Sequence, residues 1–464
     1  MIKNIHQNKK IDKLIKISGI LFFALIFAII IIILFYSGNN HGPHLVIFDR
    51  NGFEPYKIVI HKGETVTFVN HTGGYIWPAS DMHPLHLLYP QFDPKKPIPP
   101  NGNWSFKFDR VGAWTYHNHL LTFYTGIVEV LDKNKNSLED NYSCESKDKQ
   151  YQLACWESMI QVRLEQKGIT GAFDLVNKLF VTQPEFAKNC HDYVHWIGQY
   201  SYIYYYQKTG KIKVPNNAGS CGNGFYHGFM ETFVRMDPNY TDIRNFCEQI
   251  RKQVGNQSAY DCYHGIGHGL VGIDPQTWGN AKLMTETSLK TCGDITKEEE
   301  NFRNCESGIF GNVAEFMYTG QYDLKINKTD PLYLCREMED KYKSECYTQM
   351  TGLIANIYNS DIVKEIKFIN GLEDKKYAIN LVIPLGGNEM INTLGNWDFD
   401  KEIKNCQLLT ANLYQPCLES FLRPIIEISA ANNDKYEGEK FCSSNALKSE
   451  DKNYCLSLIN KIKL

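Results

Sequence analysis

No cysteine precedes Cys144, so whatever folds in the first part of the chain works without a thiolate. Charge of one sign is also missing. The 49 Lys and Arg stand against 52 Asp and Glu, a formal net charge of -3. That balance gives no footing to a nucleic-acid partner, and none is expected. There is no G-x-S-x-G, P-loop or dinucleotide fingerprint, and no C-x-x-C-H for covalent haem. One stretch lacks charge altogether. It runs from Ile17 to Tyr36 and contains LFFALIFAIIIIILF. About 20 apolar residues at 1.5 Å each match the hydrocarbon core of a bilayer. Lys3, Lys9, Lys10, Lys13 and Lys16 precede it, against the lone acid Asp12. The positive-inside rule then puts residues 1–16 in the cytoplasm and everything after Tyr36 outside. The run exceeds a usual signal-peptide core, and no small-x-small site follows Phe35 before Ser37-Gly38. An uncleaved single-pass anchor in the cell membrane is therefore expected at 17–36.

What the chain does contain agrees with that side of the membrane. Its 14 cysteines all lie between Cys144 and Cys455, and disulfides persist only in oxidising compartments. Cysteines at 144/155, 247/262, 292/305, 335/346, 406/417 and 442/455 fall into close pairs. Cys190 and Cys221 remain as a seventh pair around a longer insertion. The second cysteines recur about every 40 residues through Cys221, Cys262, Cys305 and Cys346, a period of stacked helical hairpins. Residues 140–464 are thus expected to form an all-α array, each hairpin stapled by a bridge worth about 2–3 kcal/mol. From about Asn356 to Lys401 the period breaks. The Tyr run at Tyr202 to Tyr206 is read as packing.

Residues 44–132 have a different texture. HLVIF, YKIVI, TVTFV, WSFKF, WTYHNH and GIVEVL alternate in the manner of strands. Breakers at Asn51-Gly52, Lys62-Gly63, Gly73-Gly74 and Pro94 to Gly102 separate them. An all-β sandwich follows.

Within it, GAWTYHNHLLTFYTGIVEV (Gly112 to Val130) resembles the last strand-loop-strand of plastocyanin-like cupredoxins, a Greek-key family. That family ends in G-x-Y-x-Y-H-C-x-x-H-x-x-M-x-G. Here Asn118 stands at the thiolate position, Leu121 at the second histidine and Tyr124 at the axial methionine. Blue-copper electron transfer is thereby excluded, because the site needs a thiolate. The pair His117 and His119, with MHPLHLL upstream carrying His83 and His86, also resembles multicopper oxidases with their W/Y-H-x-H and H-P-x-H-L motifs. The resemblance implies His86, His117 and His119 as ligands, with His83 nearest the vacated blue site. It also implies copper, as Cu(II). The imidazole set itself admits Zn or Fe. Strand alternation puts His117 and His119 on one face and Asn118 on the other. The family's H-x-H-G motif and third domain are absent. A multicopper cluster would need a second subunit, predicting a homotrimer, or the helical domain.

The helical half carries CHDYVHWIG (His191, His195), GFYHGFME (His227) and CYHGIGHG (His264, His268). It resembles a bacterial Cys- and His-rich helical family with these motifs, which supplies no function. The H-x3-H spacing puts two imidazoles on one helix face. His227 and His268 each lie six residues after a repeat cysteine, so stacking brings them near one another. Glycines beside them suggest close helix approach or a ligand opening. Glu231 and Asp192 are the neighbouring carboxylates, with Glu231 the acid expected in a ligand set. Buried histidines bonded to hairpin carbonyls are the competing, purely structural reading.

The expectation is a membrane-anchored, extracytoplasmic, transition-metal-binding protein. Its metal coordination would weaken below about pH 6 as the imidazoles protonate. Two alternatives stand beside it. One is a metal-dependent oxidase or hydrolase centred in the helical domain, with Glu231 as general base. The other is a scaffold whose repeat surface binds a protein partner or another copy.

Overall fold

The computed structural model describes residues 44–135, 144, 148–237, 239–393, 396–431 and 436–462. The apolar run at 17–36 lies outside them. Among the described residues no helix is long and apolar enough to cross a membrane.

A β-sheet unit comes first and a helical, disulfide-bridged unit follows. The first has eight strands: β1 (His44–Asp49), β2 (Gly52–Glu54), β3 (Lys57–His61), β4 (Thr65–Asn70), β5 (Pro78–Ser80), β6 (Asn103–Lys107), β7 (Gly112–Asn118) and β8 (Leu121–Leu131). They form two four-stranded sheets, ordered β2-β1-β4-β6 and β3-β8-β7-β5. The pairs β1–β4 and β3–β8 are parallel and the rest antiparallel. Val46, Phe48, Val66, Phe68, Trp114, Tyr116, Val128 and Val130 alternate inward and fill the sandwich. Two strands, β2 and β5, escaped the alternation pattern. Each has three residues, too few to show a period. Pro78 sits in β5, which is an edge strand, where a missing N–H is tolerated.

The helices that position the site are α1 (Lys149–Thr182), α2 (Cys190–Ser201), α3 (Gly224–Met236), α4 (Tyr240–Gln253), α5 (Asn256–Leu270), α6 (Ala281–Ile295) and α7 (Glu299–Thr319). Further helices continue to Ile462. Between residues 356 and 401 lie helices at Ile362–Gly371, Ala378–Val382 and Leu385–Asn392. Helix α1 is broken at Gly168, whose φ is 67°. Tyr202–Tyr206 continues α2 as one turn of π-helix; Tyr202 is buried against Phe229 and Phe233 while Tyr204 is exposed.

All 14 cysteines are bridged, as Cys144–Cys155, Cys190–Cys221, Cys247–Cys262, Cys292–Cys305, Cys335–Cys346, Cys406–Cys417 and Cys442–Cys455. The last five tie one helix to the next. The first two depart from the hairpin expectation. Cys144 precedes α1 in a turn, and Cys221 lies in the loop before α3.

Alternate helices α2, α3, α5 and α7 pack side by side, and glycine makes this possible. A Cβ on Gly198 or Gly224 would strike the carbonyls of Phe225 and His191. One on Gly228, Gly265 or Gly308 would strike those of His195, Tyr226 and His264. The glycines therefore serve backbone contact between helices.

The two units share a core: Trp77, Ala79, Met82 and Leu88 of the sandwich belong to the same apolar cluster as the helices. Gln321 donates to Pro84 O at 3.0 Å. Arg110 pairs with Asp148 at 2.9 Å and lies over the rings of Trp114 and Tyr151.

Candidate metal centre

Four sandwich histidines meet at this junction. His83 and His86 lie in the loop after β5. His117 is near the end of β7, and His119 is in the turn beyond it. Alternation therefore does not explain the last pair. The ladder shifts register between His117 and Asn118, and all three of His117, Asn118 and His119 are buried. Asn118 Oδ1 instead accepts from Trp77 N at 2.9 Å, tying the end of β7 to the residue before β5. His86 is held with φ at 56° and Met82 at 55°, both left-handed.

Each of the four offers a ligand atom, and these atoms lie within 4.8 Å of one another. His83 Nδ1 is 3.1 Å from His117 Nε2, and His86 Nε2 is 3.0 Å from His119 Nδ1. Two nitrogens bound to one ion at about 2.0–2.1 Å also sit roughly 3 Å apart. The outward nitrogens are taken by carboxylates. His86 Nδ1 donates to Asp93 Oδ2 at 2.6 Å, and His117 Nδ1 to Asp81 Oδ1 at 2.7 Å. Such bonds fix the tautomer and aim Nε2 at a metal. Neither aspartate was singled out from the sequence. Asp81 lies two before His83, a signal that was available. Asp93 lies beyond a loop and gave none.

Across the junction, Glu231 of α3 reaches into the sandwich. Its Oε2 is 3.2 Å from His83 Nε2 and 3.3 Å from His195 Nε2 of α2. Its Oε1 is 3.5 Å from Arg235 Nε. The sequence placed Glu231 on the face of His227, but the carboxylate turns instead to these partners. His83, His195 and Glu231 form a second buried group of convergent ligand atoms.

A third group is His227, His264 and His268. His264 and His268, one turn apart on α5, bring their Nε2 atoms to 3.2 Å. The His227 ring stacks on His268 at 4.3 Å between centroids and on His264 at 4.8 Å. His191 lies 5.0 Å from His227, and its Nδ1 donates to Cys221 O at 3.1 Å, the carbonyl bonding of the structural reading. The H-x3-H pair on α2 is looser, with centroids 6.0 Å apart. His195 closes the gap to the sandwich, 5.2 Å from His83. Nine histidines and Glu231 thus form one continuous array, buried except at the half-buried His191, His264 and His268. Asp192 is buried near Glu315, its carboxyl pushed up to about 8.

Burial sets the charge of this array. It pushes His83 down to about 3 and His191 and His264 down to about 4. His86, His119, His227 and His268 are lowered as well. These rings are neutral near pH 7, the form that binds metals. Protons therefore compete only well below the pH 6 expected for solvated imidazoles. Burial alone would raise Glu231, but its partners hold it well below the usual carboxylate range. With His83 neutral, the charge that stabilises this carboxylate is the Arg235 guanidinium, assisted by imidazole N–H donors. Asp93 is likewise held low by His86 and Lys95 against its burial; Lys95 supplies the charge at 2.8 Å.

Several buried nitrogens have no hydrogen-bond partner: His119 Nε2, His195 Nδ1 and both of His227. An unmet buried polar atom costs about 1–3 kcal/mol; for His227, which converges with His264 and His268, a ligand awaiting an ion explains this better than a finished core. A buried cluster able to hold a metal ion is therefore present. A surface depression of about 480 Å³ beside Lys325, Asn327 and Tyr333 has no such groups.

The chain matches no family model and no curated protein. Among solved structures its weak neighbours include amicyanins, which are cupredoxins. A Cu(I) amicyanin variant is 19% identical over 20% of this chain and 88% of that chain, with a TM-score of 0.18. A reduced amicyanin variant is 18% identical over the same shares, also at 0.18.

Proposed function

We propose that this is a copper-binding protein, with one ion held by His83, His86, His117 and His119. We also propose that the apolar run at 17–36 tethers it to a membrane with its folded units outside. One observation carries the metal reading. Four buried imidazoles converge, and two of them are oriented by buried aspartates. Copper leads because a nitrogen-only set ranks Cu(II) above Zn and Fe. Its role would be metal handling or a redox step. The extracytoplasmic side is favoured by the bridged cysteines.

A second reading places an ion in the helical unit, at His227, His264 and His268. It is supported by their convergence and by the two partnerless nitrogens of His227.

Metal analysis of the full chain, purified in detergent, tests both. Copper should co-purify with or load onto the unmutated protein. Its loss in His117→Ala alone puts the ion in the sandwich. Loss in His268→Ala alone puts it among the helices, and equal loss in both makes the site joint. Zinc or iron bound in preference to copper would reject the copper assignment. A chain that takes up no metal would leave a scaffold that binds a protein partner or another copy. No intense blue colour is expected without a thiolate.

A further inference from the structure

His83 belongs to two of the ligand groups at once. Its Nδ1 lies 3.1 Å from His117 Nε2, inside the sandwich cluster. Its Nε2, on the opposite side of the ring, lies 3.2 Å from Glu231 Oε2. That same oxygen is 3.3 Å from His195 Nε2. We infer that His83 is a bridging imidazolate between two metal ions, one shared with His86, His117 and His119, the other with His195 and Glu231.

Chemistry and geometry agree on the bridge. A neutral imidazole offers one lone pair and one N–H. To bind two cations it must give up its proton. In the metal-free chain the Glu231 carboxylate stands ready to accept from Nε2. A second ion entering there takes the place of that proton, which leaves to solvent. The spacing of the three donors around the second position matches that around the first, since all of the close pairs are 3.0–3.3 Å apart. Arg235 approaches Oε1, leaving Oε2 free for the ion.

The surroundings also suit a second ion, since neither polar atom of the buried Gln199 side chain has a partner. His119, Gln199, Glu231 and Arg235 border a cavity of about 10 Å³, close to the space of one water. An external ligand of that size would complete the coordination. The sandwich supplies one end of the bridge and the helices the other, so neither unit alone holds the pair.

This inference rests on the proposed copper site, and the experiment separates the two. The full chain in detergent, carrying His268→Ala to disable the third group, is titrated with Cu(II). Electron paramagnetic resonance follows the spins, and the X-ray absorption edge verifies that the copper stays Cu(II). The first equivalent should give a mononuclear signal. The second should remove most of it, because two Cu(II) spins couple through an imidazolate. Glu231→Gln and His195→Ala should each bind one copper fewer and keep the mononuclear signal. The near-isosteric Glu231→Gln, checked by circular dichroism, guards against misfolding. Two coppers whose signals simply add would overturn the bridge. So would a coupled pair that survives both substitutions. One copper, lost in His117→Ala and indifferent to Glu231→Gln and His195→Ala, would overturn the bridge while the proposed site stands. No copper at all would overturn both.

Discussion

His86 sits in the left-handed region at φ 56° with its ring fully buried. That conformation costs a non-glycine residue about 1–3 kcal/mol. It persists because both ends of the side chain are fixed, Nδ1 by Asp93 and Nε2 against His119. Asp93 is held in turn by the Trp77 indole at 2.8 Å. Asp93→Asn keeps the shape but alters the acceptor that sets the tautomer. Copper affinity should fall about 10–100-fold, as read by competition with a chromogenic chelator. An unchanged affinity would remove Asp93 from the site. A second expectation concerns protons. Burial lowers His83 to about 3, and lowers His86 and His119 too. Solvated imidazoles would release copper near their ordinary value of about 6.5. Equilibrium dialysis should instead find copper retained at about pH 5. A release midpoint near the ordinary value would mean that the rings are wet.

Helix contact in the second unit depends on glycine. Gly228→Ala drives a methyl into the His195 carbonyl, separating α2 from α3 at the level of Glu231. Overpacking of this kind costs about 1–3 kcal/mol. Gly352, in the helix Thr351–Ile357, has open space around it. Gly352→Ala should therefore be neutral or stabilising by up to about 1 kcal/mol. Urea denaturation of the two variants measures the contrast, and equal midpoints would contradict it. Much at this scale was legible in the sequence. Alternation announced six of eight strands, and the spacing of cysteines announced the pairs that bond. Spacing also brought His227 to His268, because repeat units stack in register. What escaped was short or distant. Three-residue strands show no period. Asp93 meets His86 only after a loop folds back. Glu231 meets His83 across 148 positions, a contact between separate units that leaves no local pattern. His119 was grouped with His117 by strand geometry, yet a turn beyond the strand brings it there.

Over the whole molecule, two sets of buried groups oppose each other as pH changes. Seven histidines, from His83 to His268, have pKa values lowered by burial. Below about 6.5 the unfolded chain takes up protons there that the fold refuses, so acid costs stability. Asp192, Glu306 and Glu315 are pushed up to about 8 by burial. The fold keeps those protons while the unfolded chain sheds them above about pH 4, so stability is lost as pH rises from there through 8. Between about pH 4.5 and 6.5 the seven histidines outweigh the three acids, so stability still rises with pH; above that range only the acids act. The metal-free chain should therefore be most stable at about pH 6.5 and weaken toward about pH 8.5. Chemical denaturation across that range tests it, and a midpoint that climbs with alkali would refute it. The bridges carry a consequence of another kind. Every cysteine bonds to the next one along the chain, at separations of 11 to 31 residues. A polypeptide entering an oxidising space from its N-terminal end would find each partner to be the thiol that arrives next. Linking thiols in order of arrival thus yields the native set, and oxidative maturation can run to completion without reshuffling.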